Sequence, residues 1–298
     1  MTVQKVHRTK SDWTTGQIIL FLVVGLIVLT CVVPLVNVLA ISLSGKSAIL
    51  AGKVSLVPVD FNVRAYEAIF NDSSMIYCLF YTVFLTTVYT VLTMIFTIML
   101  AYPLTKKRLM GRNFFTLFVL ITMYFSGGTI PIYLTIKNYG LLNTFWVLVI
   151  PGLISTYNMI ILRSSFAALP DELEEAATID GANDFQVLLR VILPLSKASI
   201  ATIALFYAVA KWNSFSDALY YITSRDLQPL QLRLYNLIKG TTSLELTIIE
   251  GSSQEFGQSI SESIESATII FATLPILFVY PFVQRYFIAG VTIGAVKG

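Results

Sequence analysis

Between Leu169 and Leu195 the chain concentrates side chains able to do chemistry, and the chemistry is docking, not bond-making. Asp171, Glu172, Glu174, Glu175, Asp180 and Asp184 are set against only Arg163, Arg190 and Lys197 in the stretch from 163 to 198. Pro170 presets the backbone for a helix start, and carboxylates in a first turn sit at the positive end of the helix dipole. Gly181 is suited to the left-handed turn that ends the helix. Asn183 or Asp184 then caps a second short helix, whose length Pro194 limits. Ala176 and Ala177 keep one side of the first helix slim, so a partner can close tightly around it. The predicted product is helix, sharp bend, helix: a knob for a socket. Surface helices that rest on anionic lipid carry Lys and Arg. This one is acidic, so the expected partner is a basic groove on a soluble protein.

Several other chemistries are excluded. The single histidine is His7, in the N-terminal tail, so neither a His-based metal site nor a Ser-His triad can be assembled. No metal site and no catalytic set is expected. Gly45-Lys46-Ser47 resembles the end of a phosphate-binding loop, yet Ala40 stands where that loop needs its first glycine. Ion-coupled carriers place ionisable groups at mid-membrane, and the apolar runs here hold almost none, Lys211 being the exception. A transporter built this way draws its energy from another subunit.

The elements that position the acidic stretch are membrane spans. The chain has 298 residues, 56% of them hydrophobic and 12% charged, with a mean hydropathy of +0.76; soluble domains carry about twice that share of charge. Six apolar runs are long enough to cross a bilayer, at about 18–42, 77–102, 114–135, 141–162, 199–221 and 267–289. The fold class is therefore all-α, a polytopic bundle of six transmembrane helices. The domain reading is a tail over 1–17, a membrane domain over 18–289 and a second tail over 290–298. A longer polar loop at 163–198 faces one side, and one at 222–266, hinged at Gly240, Gly251 and Gly257, faces the other. Placing the N-terminus inside puts twelve Lys and Arg on the inner segments against seven outside, which orients both termini to the cytoplasm. The inner 103–113 loop, with Lys106, Lys107, Arg108 and Arg112, reads as a product of that topology. Cys31 and Cys78 read as apolar packers, and the net charge of +3 implies no nucleic acid.

The block Glu175-Ala176-Ala177, then Gly181, then Ile192-Leu193-Pro194 resembles the EAA motif of ABC importer permeases. The extended form from Leu169 to Ala182 is similar to the sugar-importer branch of type I permeases. Ala198 departs from it where many relatives carry proline. At the C-terminus, Gln284-Arg285-Tyr286-Phe287 and Gly290 through Gly298 are similar to the tail of maltose-type second permease subunits. Tyr124 to Pro131 and Tyr207 to Asn213 look like the branch that includes LplC-type permeases. The resemblance implies a type I importer fold whose acidic loop is a coupling helix seated on an ATPase. Glu172, Glu175, Ala176, Ala177, Asp180, Gly181, Leu193 and Pro194 are its coupling residues, with Gln284, Arg285, Gly294 and Lys297 in a tail between two ATPase protomers. It also implies a plasma-membrane location and a homologous second permease. An extracellular solute-binding protein and ATP with Mg on the ATPases complete the implied assembly, with no cofactor in this chain.

A sugar path mixes hydroxyls, amides and aromatic faces. Tyr124, Ser126, Asn158, Trp212 and Asn213 are the candidates, with Gly127, Gly128 and Pro131 breaking the third span where backbone lines protein or water. The expected cargo is an oligosaccharide. The alternatives are a permease for another solute and a stand-alone secondary carrier.

Overall fold

The computed structural model describes residues 14–248 and 262–281. Every extended element among them is helical. In chain order these are α1 (Thr15–Ser42), α2 (Lys46–Leu50), α3 (Arg64–Asn71), α4 (Ser73–Ala101), α5 (Arg112–Tyr124) and α6 (Thr129–Asn138). Then follow α7 (Thr156–Ala167), α8 (Asp171–Ile179), α9 (Asp184–Val187), α10 (Leu193–Leu195), α11 (Lys197–Asn213), α12 (Ser216–Tyr221) and α13 (Leu230–Ile248), and α14 (Glu262–Pro281). Three helices are unbroken candidate spans: α1, α4 with its extension to Thr105, and α14. Three bent helix pairs bring the number of candidate spans to as many as six, if each pair is one span.

The described chain divides into two compact units, one holding the residues up to Ala68 with 262–270 of α14, the other 69–248 with 271–281. In the first, α1 is apolar on every side and exposes nearly all of it, with Ala40 and Ser42 buried at its end. The turn after it closes through Gly45 N donating to Val59 O at 3.0 Å and Asn62 N to Leu43 O at 2.9 Å. A Cβ on Gly45 would lie 2.7 Å from Asp60 Cβ. Close chain approach, not a phosphate, accounts for that glycine.

In the second unit α4 is the spine, with α7 and α11 packed along it. Asp72 caps it by accepting from Ser74 N at 2.9 Å and Ser74 Oγ at 2.6 Å. The Ser74 hydroxyl chiefly holds the Asp72 carboxyl below its ordinary value. Leu162, Met159 and Ile203 are fully buried where the three helices meet.

The third span breaks where Gly127 and Gly128 were expected to break it. The chain leaves α5 at Tyr124, Gly128 adopts φ +85°, and α6 departs at 113°. The fourth span departs from the continuous helix expected over 141–162. It begins as 3₁₀ turns at Phe145–Leu148 and Ile150–Gly152, then bends by 52° into α7. Pro151 lacks an N–H, and Ser155 caps α7 by accepting from Asn158 N. Two tyrosines satisfy the freed backbone: Tyr89 Oη donates to Gly152 O at 2.9 Å, and Ser155 N donates to Tyr207 Oη at 3.1 Å. Tyr207 Oη also pairs with Thr97 Oγ1 at 2.7 Å. Such partners are what a bilayer demands of irregular backbone.

The fifth apolar run, expected as one helix over 199–221, ends as α-helix at Asn213 and resumes as α12. The 222–266 stretch is likewise not open loop throughout. α13 runs through Gly240, which is therefore no hinge, and buries Leu230 and Leu232. Gly251 and Gly257 lie outside the described residues.

Candidate functional site

The acidic loop folds as its residues dictate. Pro170 is the N-cap of α8 at φ −60°, followed by Asp171, Glu172 and Glu174 in the first turn. Gly181 takes φ +85°. Gly181 N donates to Thr178 O and Ala182 N to Ala177 O, both at 3.0 Å, the paired closure of a Schellman turn. Asn183 is the second cap: it accepts from Gln186 N at 2.9 Å while the Gln186 side chain accepts from Asn183 N at 3.0 Å. α9 then passes into a π-helical turn over Leu188–Ile192, and Leu193-Pro194 opens α10. That π turn carries no signal in residue spacing. It places Val187, Leu188 and Ile192 together in the core against Leu162 and Phe166. Half of the loop is thus anchored, and half projects.

On the projecting half Glu172, Glu175, Ala176, Asp180 and Gly181 are exposed, and Ala177 is half-buried against the core. Leu193 is half-buried and Pro194 exposed. Beside them stand apolar side chains that acid counting overlooks: Ile179 is 86% exposed, Phe185 66% and Leu173 41%. Three of the six carboxylates are paired within the chain itself. Glu174 pairs with Lys106 and Asp184 with Arg108, and Asp171 meets Lys107 at 3.1 Å. Glu172, Glu175 and Asp180 make no ion pair among the described residues. The outward surface is therefore an apolar tip with three free carboxylates. Gln284, Arg285, Gly294 and Lys297 lie outside the described residues.

The expected path residues separate. Tyr124, Ser126 and Gly127 are exposed together at the break of the third span, where Ser126 Oγ accepts from Gly128 N at 3.3 Å. Asn158 is buried in α7. Trp212 is buried, with Nε1 donating to Ala272 O at 3.1 Å, and the Asn213 amide donates to Val209 O of its own helix at 2.9 Å. The Trp212 indole thus bonds α14, while Asn213 is exposed and bonds only the backbone of its own helix. Lys211, buried in α11, has a partner six residues on that spacing did not single out: Asp217, at 3.3 Å. No group of His, Cys, Asp and Glu among the described residues can hold a metal.

Residues 73–293 match the family described as binding-protein-dependent transport system inner membrane component. The chain belongs to that family. It is a multi-pass inner-membrane permease, the non-catalytic component of an ABC importer. Protein LplC of Bacillus subtilis (strain 168) is 38% identical over 296 residues, covering 99% of each chain. The polygalacturonan/rhamnogalacturonan transport system permease YtcP of the same organism is 37% identical over 273 residues, 91% of this chain and 94% of that one. Among solved structures, a chain of a bacterial ABC transporter involved in import of the acidic polysaccharide alginate superposes with a TM-score of 0.82. It is 31% identical and covers 94% of this permease and 98% of that chain. The resemblance read from the acidic loop and the all-helical, six-span expectation are both borne out.

Proposed function

We propose that this permease forms half of the translocation path of an ATP-driven oligosaccharide importer and couples to its motor through the 163–198 loop. The observation that carries this is the projecting end of that loop. Ile179, Phe185 and Leu173 are exposed on the same loop as Glu172, Glu175 and Asp180, while Val187, Leu188 and Ile192 hold its other half in the core. Exposed apolar side chains ringed by charge mark protein contacts, and lipid of the cytoplasmic leaflet repels acid. In this assembly both termini are cytoplasmic, a homologous permease supplies the other half of the path, and two ATPase subunits hold ATP and Mg. An extracellular binding protein delivers the sugar, and the tail with Gln284, Arg285, Gly294 and Lys297 reaches the ATPases. The names of the relatives support a carbohydrate cargo. The exposed break at Tyr124, Ser126 and Gly127 is the stretch of this chain best placed to line its route.

Ile179→Asp and Glu175→Lys test the proposal. In membranes with normal permease levels, each variant is expected to lose copurifying ATPase and uptake of pectin or alginate oligosaccharides. Full retention of the ATPase by both variants overturns the docking assignment. Uptake of neither glycan by the wild type, with another solute class taken up instead, overturns the cargo.

A further inference from the structure

The short basic loop after α4 does more than record topology. Three consecutive residues, Lys106, Lys107 and Arg108, pair with Glu174, Asp171 and Asp184. The three carboxylates lie one turn into α8, at its first residue, and beyond the Gly181 bend. Tyr102, at the end of α4, lies beneath the Lys106 ammonium, which is 4.1 Å from its ring centroid. Arg163 Nε, from α7, donates to Leu104 O at 3.1 Å. We infer that this loop is a three-point clamp that fixes the acidic loop to the end of α4, so that a displacement of α8 moves the α4 spine with it. Lys106, Lys107 and Arg108 are then positioning residues for coupling, which rests on the docking of α8 proposed above.

Mechanical need motivates the clamp. α8 is joined to the rest of the chain at Leu169-Pro170 and at the Gly181 turn, and its own burial is slight, with Ala177 packed against the core. A load on its tip is otherwise absorbed by rotation at those joints. One ion pair leaves a pivot; three spaced along the loop remove it. The pairs differ in kind. Lys106 and Glu174 are shielded, with side chains 16% and 28% exposed, whereas the other two pairs are open to solvent. Open pairs are weak one at a time and screened by salt, so the network, anchored by its shielded member, carries the load.

The test uses the whole complex in lipid nanodiscs, with Cys31 and Cys78 replaced by Ser and spin labels on Met110 and Thr178, both exposed. The label-to-label distance is measured without nucleotide and with ATP and vanadate. Uptake of pectin and alginate oligosaccharides per ATP hydrolysed is followed in proteoliposomes. The wild type is expected to keep one narrow distance in both states. K106E/K107E/R108E is expected to broaden it with ATP and vanadate, and to lower uptake per ATP roughly fivefold or more. Adding D171K/E174K/D184K is expected to restore both readouts, which a lost fold does not allow. Should the triple variant fail to assemble, K107E alone, at an open position, shows a partial loss that D171K repairs. A wild-type distance that changes with nucleotide, or reversed charges with unaltered coupling, overturns the clamp while leaving docking intact. A wild type that purifies without ATPase overturns docking, and the clamp with it.

Discussion

Gly181 isolates the backbone contribution to coupling. Its φ of +85° lies where residues with a Cβ are strained, and a Cβ built there meets nothing within 4 Å. Substitution therefore changes conformational energy without a steric clash. Left-handed geometry costs an ordinary residue about 1–2 kcal/mol, with Asn tolerated better and β-branched residues worse. An energy of that size shifts a conformational equilibrium roughly 5–30-fold. The Schellman closure through Thr178 O and Ala177 O holds the angle between α8 and α9, so the shift is expected to appear in transport. Uptake per ATP in proteoliposomes should rank Gly, then Asn, then Ala, then Val at position 181, with Ala lower than Gly by about fivefold or more. Thermal stability should fall by no more than that strain of about 1–2 kcal/mol, because the core anchors Val187, Leu188 and Ile192 lie past the turn. Equal uptake for Gly and Val at equal expression, or an Asn variant as poor as Val, refutes the claim that the left-handed turn sets the docking geometry.

Two further outcomes concern the buried polar groups. Asp217→Asn strands Lys211, whose side chain is 6% exposed, and should cost about 3–5 kcal/mol. Lys211→Met instead leaves an Asp217 side chain that is 52% exposed, so its cost should be distinctly smaller. Unfolding temperatures in detergent give the order, and equal shifts contradict it. At the fourth-span break, a Cβ on Gly152 would lie 2.7 Å from Tyr89 Oη. Gly152→Ala should therefore destabilise by about 1–3 kcal/mol through the lost hydrogen bond, and markedly less in a Tyr89→Ala background; simple additivity of the two changes rules the contact out.

Much of the candidate site was legible because its determinants are local. Pro170, the first-turn carboxylates, Gly181 and Asn183 act on the backbone within a few residues of themselves. Their chemistry names the start and the end and narrows the second cap to Asn183 or Asp184, of which the structure uses Asn183. The third-span break was legible for the same reason, since Gly127 and Gly128 sit within it. Gly240 misled: glycine permits a hinge but does not impose one, and the core position of Leu230 and Leu232 carries α13 through it. Residue type alone leaves Trp212 open, because an indole suits a sugar face and a helix interface equally; tertiary structure adds the bond from its N–H to Ala272 O.

What residue order determined by itself was the number of spans, the acid excess of one loop and the absence of a catalytic set. Each depends on composition over a short window, and transfer to a bilayer responds to composition. Tertiary structure decided which charges remain free. Lys106 and Glu174 are 68 residues apart in sequence, and Tyr207 and Thr97 are separated by 110. Pairing at that range follows from how α4, α7 and α11 pack, not from any local preference. The same packing turned half of an acidic loop inward onto its own basic neighbour and left Ile179 and Phe185 standing outward.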